Sequence, residues 1–368
     1  MGSIAPFRAA LAVEDDALLA ADKVAQDLAS AGSEGTVGFV YVTDRLKGTL
    51  ETVVEHLCHR TGIKDWIGTK GLGVMAGKAA AFDKPAVAAM VGTWPKGQFA
   101  LYDQVPLQNP LPFDPNAFGI VKAIVHCDPR NPKYDELLNT LASSSGAYLL
   151  GGLSASRTRH FEQVAGKVTE GGLSGLFLGP DVDVSIGVTQ GCSALGPVRE
   201  ITEMDKNLIT KLDNGPPLGA LLGDLSAMGE SDLRRVLQSL HVALPVANSD
   251  TGDYVVRNIM GIDTDKGYIA IAENVEPGRK LFFCQRDRAA ATKDLSSMVQ
   301  KLRARAGTIN GALYVSCCGR GPSLFESAEE EVELVQKELG DVPMVGFYAN
   351  GEIAGDRVYG YTGVLALF

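Results

Sequence analysis

Four side chains in this sequence have the types and settings to do chemistry: Cys192, Cys318, Arg320 and Glu352. Arg320 follows Cys318-Gly319 in the stretch Cys317-Cys318-Gly319-Arg320-Gly321-Pro322, too glycine-rich and proline-broken to continue as strand or helix. A guanidinium there can hold a carboxylate bidentately with turn amides as extra donors, or it can close a structural ion pair. Glu352, in Gly351-Glu352-Ile353, can pair an amine or accept a proton, or stand solvated in its turn. Cys192, in Gln190-Gly191-Cys192, and Cys318 each sit in a glycine turn at a strand end, where a thiol can be exposed and its pKa adjusted. The competing reading of a free cysteine is a small buried hydrophobe. Gly191 and Gly319 let backbone amides approach a ligand, and Tyr348 ends the strand beside the Arg320 turn.

Other residues with metal-binding or nucleotide-binding types carry less. Cys317 and Cys318 are neighbours, and on an extended strand their side chains would point to opposite faces, which excludes a standard zinc pair. His56 and His59 are spaced i, i+3 around Cys58 on one helix, but no second cluster completes a site, so they read as solvated histidines. His126-Cys127 is the remaining haem or metal candidate. Gly71-Leu72-Gly73 lacks the third glycine and the following helix of a dinucleotide fingerprint.

The elements that must position these groups repeat. Near the C-terminus a strand from Gly311 to Ser316 ends in the Arg320 turn. A helix from about Ser327 follows, with Val332, Leu334, Val335 and Leu339 apolar and Glu329, Glu330, Glu331, Glu333 and Glu338 on its wet face. The strand Met344 to Tyr348, a glycine turn and the strand Val364 to Leu367 complete the unit. The same order recurs twice upstream. One copy has Val37 to Val42, a helix through Leu50, Val53, Val54, Leu57 and Cys58, the stretch Trp66 to Gly73, and the strand Ala86 to Val91. The other has Gly119 to Val125, a helix from Tyr134 to Leu141, Tyr148 to Arg157, and Leu173 to Leu178. Ahead of the first lie a strand, Phe7 to Val13, and a helix capped by Asp15 or Asp16 with Leu18, Leu19, Val24 and Leu28 as its buried stripe, then the turn Gly32-Ser33-Glu34-Gly35.

Between Leu178 and Gly252 the pattern changes. Val182 to Val188 alternates as a strand, and Leu218 to Leu240 reads as helix. Tyr254 to Met260 and Gly267 to Ala272 read as a hairpin turned at Asp263 to Lys266; Lys280 to Cys284 follows as strand and Ala289 to Ala306 as helix. Asp213-Asn214-Gly215-Pro216-Pro217 is the preferred boundary, giving domains 1–215 and 216–368. The expected fold is α+β, with mixed or antiparallel sheets packed face to face, outer helices, and repeated strand–helix–strand–strand units.

Composition narrows the function. The chain has 368 residues, a net charge of −10 and 45% hydrophobic residues, which suits a soluble globular protein and argues against a nucleic-acid partner. No apolar run reaches the ~18 residues of a membrane span, and no secretory signal opens the chain. Six scattered cysteines read as free thiols in a reducing cytoplasm.

With these pieces in order, the chain resembles the FIST family, which has an N-terminal and a C-terminal domain and is described as a sensory module. The residues that carry the resemblance are Gln190-Gly191-Cys192 with Gly196-Pro197, Leu212-Asp213 before Leu218, Tyr254-Val255-Val256-Arg257, and Phe283-Cys284-Gln285-Arg286-Asp287. Further on are Cys318-Gly319-Arg320-Gly321 with Leu324-Phe325, Pro343 to Tyr348, Gly351-Glu352-Ile353 and Tyr361-Thr362. The resemblance implies binding of a small, amino-acid-like ligand for signal transduction; some relatives carry an F-box, and others are implicated in nitric-oxide sensing through haem. No F-box, kinase or cyclase segment is read in this sequence, so a separate downstream signalling protein is the expected partner.

The expectation that follows is a binding protein without catalysis or cofactor. Arg320 and Glu352 would be opposite poles for a zwitterion, in a cleft between the two halves walled by Cys192 and Cys318. The alternatives are a hydrolase or transferase using a Cys/Glu site, against which stands the lack of any sequence-local dyad, and a haem-based sensor.

Overall fold

Three times along the chain two strands pair in parallel across one intervening helix. A computed structural model of the protein describes residues 7–29, 35–95, 97–103, 119, 121–229, 236–237, 239–246 and 253–368. The first unit comprises β1 (Arg8–Val13), α1 (Ala17–Ala29), β2 (Val37–Thr43), α2 (Leu50–Thr61), β3 (Trp66–Gly71), the hairpin β4 (Gly73–Ala76) and β5 (Ala79–Phe82), and β6 (Ala86–Gly92). The second comprises β7 (Phe99–Asp103), β8 (Lys122–Cys127), α3 (Tyr134–Ser145), β9 (Tyr148–Leu153), the hairpin β10 (Gln163–Ala165) and β11 (Lys167–Thr169), and β12 (Leu173–Leu178). The third opens with β13 (Ser185–Thr189) and is then interrupted.

The interruption holds β14 (Cys192–Ala194), β15 (Arg199–Asp205), β16 (Leu208–Leu212), α4 (Pro217–Ala227), β17 (Leu240–Pro245), β18 (Tyr254–Asp263), β19 (Tyr268–Ile271) and β20 (Lys280–Arg286). The third unit resumes with α5 (Arg288–Arg305), β21 (Ala312–Cys317), α6 (Ala328–Leu339), β22 (Met344–Ala349), the hairpin β23 (Glu352–Ala354) and β24 (Arg357–Tyr359), and β25 (Gly363–Leu367). By their contacts, residues 1–190 and 292–368 form one compact unit and 191–291 another.

In the larger unit the three sheets have one design. Their strand orders are β1-β6-β2-β3-β10-β11, β7-β12-β8-β9-β23-β24 and β13-β25-β21-β22-β4-β5. Each runs edge strand, closing strand, the parallel pair, and then a hairpin donated by another repeat. The donation is cyclic: β4–β5 leaves the first repeat for the third sheet, β10–β11 the second for the first, and β23–β24 the third for the second. The backbone seals the cycle where the second strands end. Leu72 N–H donates to Tyr348 O (3.2 Å), Ala155 N–H to Lys70 O (2.9 Å) and Asn350 N–H to Leu153 O (3.1 Å).

A glycine sits at one register position in all three repeats. Gly68, Gly151 and Gly346 lie opposite Val40, Val125 and Tyr314. A Cβ on them would fall 1.6, 2.0 and 1.8 Å from the carbonyl oxygens of those partners, so no side chain fits.

Alternation along the first strands then sorts core from core. Val40 and Val42 face the helices and pack with Val53 and Leu57, while Val125 and Cys127 pack with Leu138 and Leu141. The intervening Tyr41 and His126 face inward, where Tyr41 stacks on Phe347 at 4.7 Å and meets His126 at 5.5 Å. The sheets thus share their inner faces with helices outside, in the expected α+β arrangement.

The smaller unit is antiparallel throughout. β20, β15, β16, β19, β18 and β17 pair in succession and β17 pairs back to β20, closing a ring, with β14 added on β20. Its core includes Ile201, Leu221, Leu240, Val242 and Phe283.

Several local readings change. Leu18 and Leu19 are 50% and 47% exposed; α1 instead buries Ala17, Ala20, Ala21, Val24, Ala25 and Leu28, because a close helix–sheet approach favours alanine. Asp16 does cap the start of α1, its carboxylate accepting Leu19 N–H at 3.0 Å. Helix α4 ends at Ala227 and Leu240 begins β17, so the helix expected over Leu218 to Leu240 is shorter; residues 230–235 and 238 of that stretch lie outside the described residues. So does 32–34 of the expected glycine turn. Glu331, expected on the wet face of its helix, is fully buried. Among the described residues no helix is long and apolar enough to cross a membrane.

Candidate functional site

The third repeat builds its strand–helix interface differently from the other two. By the glycine register, Tyr314 and Ser316 of β21 stand where the first repeat has Val40 and Val42 and the second Val125 and Cys127. Opposite them α6 presents Glu331. Its Oε1 accepts Tyr314 O–H at 2.8 Å, Ser316 O–H at 2.9 Å and Arg320 Nε–H at 2.7 Å, and its Oε2 accepts Gly321 N–H at 3.1 Å. Ser327 caps α6 through Glu330 N–H at 3.2 Å, which fixes the helix start and so the height of Glu331.

Arg320 is fully buried, and the ion pair with Glu331 is made through Nε alone. One face of the guanidinium lies over the Phe325 ring at 5.3 Å. Its two terminal NH2 groups have no hydrogen-bond partner among the described residues. Burial works against its charge, but Glu331, Tyr314 and Glu352 hold it protonated.

Glu352 is fully buried at the start of β23, not solvated in a turn. Its Oε2 accepts Thr362 N–H at 3.1 Å and Thr362 O–H at 2.7 Å, while Oε1 has no partner among the described residues. Burial, with a smaller push from Cys317, raises its carboxyl well above the usual range; Thr362 and Arg320 oppose this. Glu352 and Arg320 therefore belong to one cluster, each within reach of the other's charge.

Cys318 joins the same cluster. Strand β21 ends at Cys317, so the alternation expected to part the neighbouring thiols stops there, and the two thiols act on each other's ionisation. The contact with Cys317 lowers the Cys318 thiol from its ordinary value against partial burial and the nearby Glu352. The same contact, with burial, raises Cys317 well above its own. Gly319 is required here, since a Cβ would meet the Tyr361 ring at 2.7 Å. Tyr348 is fully buried, its hydroxyl donating to Ala328 O at 3.1 Å, and burial raises its pKa well above the ordinary value.

Gly191 and Cys192 belong to the smaller unit. There Cys192 lies on β14 opposite Arg286, and its carbonyl accepts Tyr254 O–H at 3.1 Å. His126 is fully buried, with Nε2 3.1 Å from the Tyr41 hydroxyl and Nδ1 without a partner among the described residues; burial lowers its pKa to about 3. His56 contacts Asp22 at 3.2 Å on the helix surface. Among the described residues no three His, Cys, Asp or Glu side chains are grouped as a metal site would require. Two surface clefts, of about 760 Å³ at Glu136, Thr140 and Asp356 and about 630 Å³ at Ile63, Asp65 and Phe99, involve none of the candidate residues.

The sequence reading missed Glu331, Tyr314, Ser316 and Thr362. Tyr314 and Ser316 were the available signal: they alternate on a strand whose two counterparts are apolar at those positions.

The chain matches the FIST N domain over residues 36–215 and the FIST C domain over 220–355. It belongs to the FIST family, whose domains are associated with sensory or signal-transduction roles. The two family domains meet between residues 215 and 220, whereas the compact units part at 190/191 and 291/292. An uncharacterized protein of Mycobacterium tuberculosis is 31% identical over 320 residues, 82% of this chain and 83% of its own. An uncharacterized protein of Mycobacterium bovis is 36% identical over 190 residues, 49% of each chain.

Proposed function

We propose that the protein is a sensory binding protein for a small polar ligand of amino-acid type, held by Arg320 and Glu352. In this reading the two terminal NH2 groups of Arg320 take the ligand carboxylate and Glu352 Oε1 takes its ammonium group, with Cys318, Gly319 and Tyr348 around them. No catalysis and no cofactor is invoked, and the bound state is passed to a separate signalling protein.

One observation carries it. The same fold unit occurs three times, and two copies place aliphatic or thiol side chains, Val40 and Val42 or Val125 and Cys127, at the positions of Tyr314 and Ser316. The third replaces them with an Arg–Glu–Tyr–Ser network whose arginine retains two buried donor groups without a partner among the described residues. A buried donor left unsatisfied costs about 1–3 kcal/mol, more when charged, so the fold alone gives no reason to keep it. A ligand carboxylate supplies the missing acceptor, and loading raises the Glu352 carboxyl's tendency to ionise by bringing a cation beside it.

The test is calorimetric titration of amino acids and small carboxylates into the wild type, Arg320→Lys and Glu352→Gln. Binding by the wild type that weakens by about 1.5–3 kcal/mol in the variants supports the reading. Wild-type binding unaffected by either change, or no binding across the panel, overturns it. A Soret band in the purified protein would replace it with the haem reading.

A further inference from the structure

We propose that Cys317 and Cys318 form an oxidant-responsive thiol pair, in which Cys318 is attacked by a hydroperoxide and Cys317 resolves the product as a reversible disulfide between the two. This stands apart from ligand binding by Arg320 and Glu352 and does not depend on it.

The geometry separates the two roles. Cys317 is the last residue of β21 and is 7% exposed, with Gly319 N–H donating to its Sγ at 3.4 Å. Cys318 lies one residue beyond the strand and is half-buried, so it is the member of the pair a small oxidant can reach. The thiols are adjacent in the chain and interact, an interaction that lowers the pKa of Cys318 and raises that of Cys317. That interaction stabilises Cys318 as thiolate, which is the nucleophilic form, and Arg157 adds to it from the solvent side. Glu352 acts against the Cys318 thiolate, and the burial that raises its own pKa favours its neutral form.

The chemistry balances with hydrogen peroxide as the named oxidant. The Cys318 thiolate attacks one peroxide oxygen, the O–O bond breaks, and hydroxide leaves with the electron pair, giving Cys318 sulfenic acid. Cys317 gives up its proton, its sulfur attacks the sulfenic sulfur, and hydroxide leaves to combine with that proton as water. The net change is two thiols and one peroxide to one disulfide and two waters. Adjacent Cα atoms are about 3.8 Å apart, short of the ~4.4–6.8 Å usual for a disulfide, so the product is strained and readily reduced. Its formation also moves a turn that is working: Cys317 O accepts Arg320 N–H at 2.8 Å, and Cys318 N–H donates to Ala349 O at 2.8 Å.

A second thiol pair among the described residues serves as an internal comparison. Cys192 and Cys284 also interact, with Cys284 buried and raised above its ordinary pKa as Cys317 is, so the same treatment reads whether oxidation is confined to the Cys317–Cys318 turn.

The experiment treats the full chain with stoichiometric hydrogen peroxide and maps thiols by peptide mass spectrometry. The wild type is expected to lose about 2 Da at the Cys317–Cys318 peptide and to recover it with dithiothreitol. Cys317→Ser should stop at the sulfenic acid, trapped by dimedone on Cys318, and Cys318→Ser should leave Cys317 unmodified. Cys318 remaining alkylatable after peroxide overturns the proposal. So does a Cys317→Ser protein without dimedone adduct, or oxidation at Cys192 and Cys284 while Cys317 and Cys318 stay reduced.

Discussion

Gln163 and Glu352 hold the same place in consecutive repeats: each opens a donated hairpin and faces the residue after a central glycine, Thr69 and Gly152 respectively. Gln163 is satisfied at both ends, its Nε2 donating to Gly172 O at 3.1 Å and its Oε1 accepting Ser174 O–H at 2.8 Å. Among the described residues Glu352 uses only Oε2, on Thr362, the counterpart of Gly172. A neutral amide therefore meets the structural need at this position, and the carboxyl of the third repeat exceeds it.

From this, Glu352→Gln should leave the fold intact and cost under about 1 kcal/mol at neutral pH, since it resembles the protonated acid that burial favours. The pH dependence has a definite sign. A carboxyl whose folded pKa is raised binds more protons folded than unfolded, so stability is lost as pH rises from the ordinary carboxylate range through the raised value. Urea unfolding of wild type and Glu352→Gln between pH 4 and 9, taken as about that span, should show the wild type losing ground to the variant as pH rises. A difference that grows in the other direction would mean Glu352 is ionised in the fold.

Breaking the Arg320–Glu331 pair should be far more costly than removing it. Glu331→Gln leaves a buried guanidinium without its counter-charge and should destabilise by about 3–5 kcal/mol. Replacing the whole network by Tyr314→Phe, Ser316→Val, Arg320→Met and Glu331→Leu restores the apolar interface of the other repeats. That variant should be as stable as wild type or up to about 4 kcal/mol more so, and should bind no ligand. Denaturant midpoints compared at one pH decide between the two outcomes.

His126 should make the protein sensitive to mild acid. Its folded pKa is about 3 because burial disfavours the imidazolium, so below the ordinary histidine range the unfolded chain binds the proton and the folded one does not. Stability should fall as pH drops through that range, with this group contributing a slope of up to about 1.4 kcal/mol per pH unit. His126→Phe, which can stack beside Tyr41 and Phe347, should flatten the slope between pH 6 and 4, an interval of about that width. An unchanged acid limb would assign it to other groups.

Much of this was legible in the sequence, and the gaps have physical causes. The three repeats, the hairpin and the strand-end turns follow from local apolar periodicity and glycine placement, which act within a few residues. The cyclic exchange of hairpins β4–β5, β10–β11 and β23–β24 was not legible, because alternation tells which face of a strand is buried and not which sheet it joins. Glu331 was misread for a related reason. One glutamate among Glu329, Glu330, Glu331 and Glu333 differs from the rest only by facing Tyr314, Ser316 and Arg320, which helix periodicity alone does not reveal. Arg320 and Glu352 were found by residue type and turn context, but their full burial depends on strands more than a hundred residues away, such as β9 against Glu352.

The central glycines offer the most direct test of the repeat itself. Gly68, Gly151 and Gly346 are separated by long stretches of sequence, yet each lies against the carbonyl of the first-strand residue paired with it. A methyl group 1.6–2.0 Å from an oxygen cannot be absorbed by a side-chain shift, because the obstacle is backbone inside a fully paired strand. Gly68 and Gly151 add a second cost, with φ of 158° and 143°, both in the range that disfavours any Cβ, Gly68 at its edge. Alanine at any of the three should therefore cost more than about 4 kcal/mol, the range reserved for named structural faults. By contrast Gly62→Ala, at the left-handed end of α2 with φ of 75° and open space around the added methyl, should cost only about 1 kcal/mol. Thermal unfolding of the four variants should separate them into these two groups; a Gly151→Ala protein as stable as Gly62→Ala would refute the register on which the three-repeat description rests.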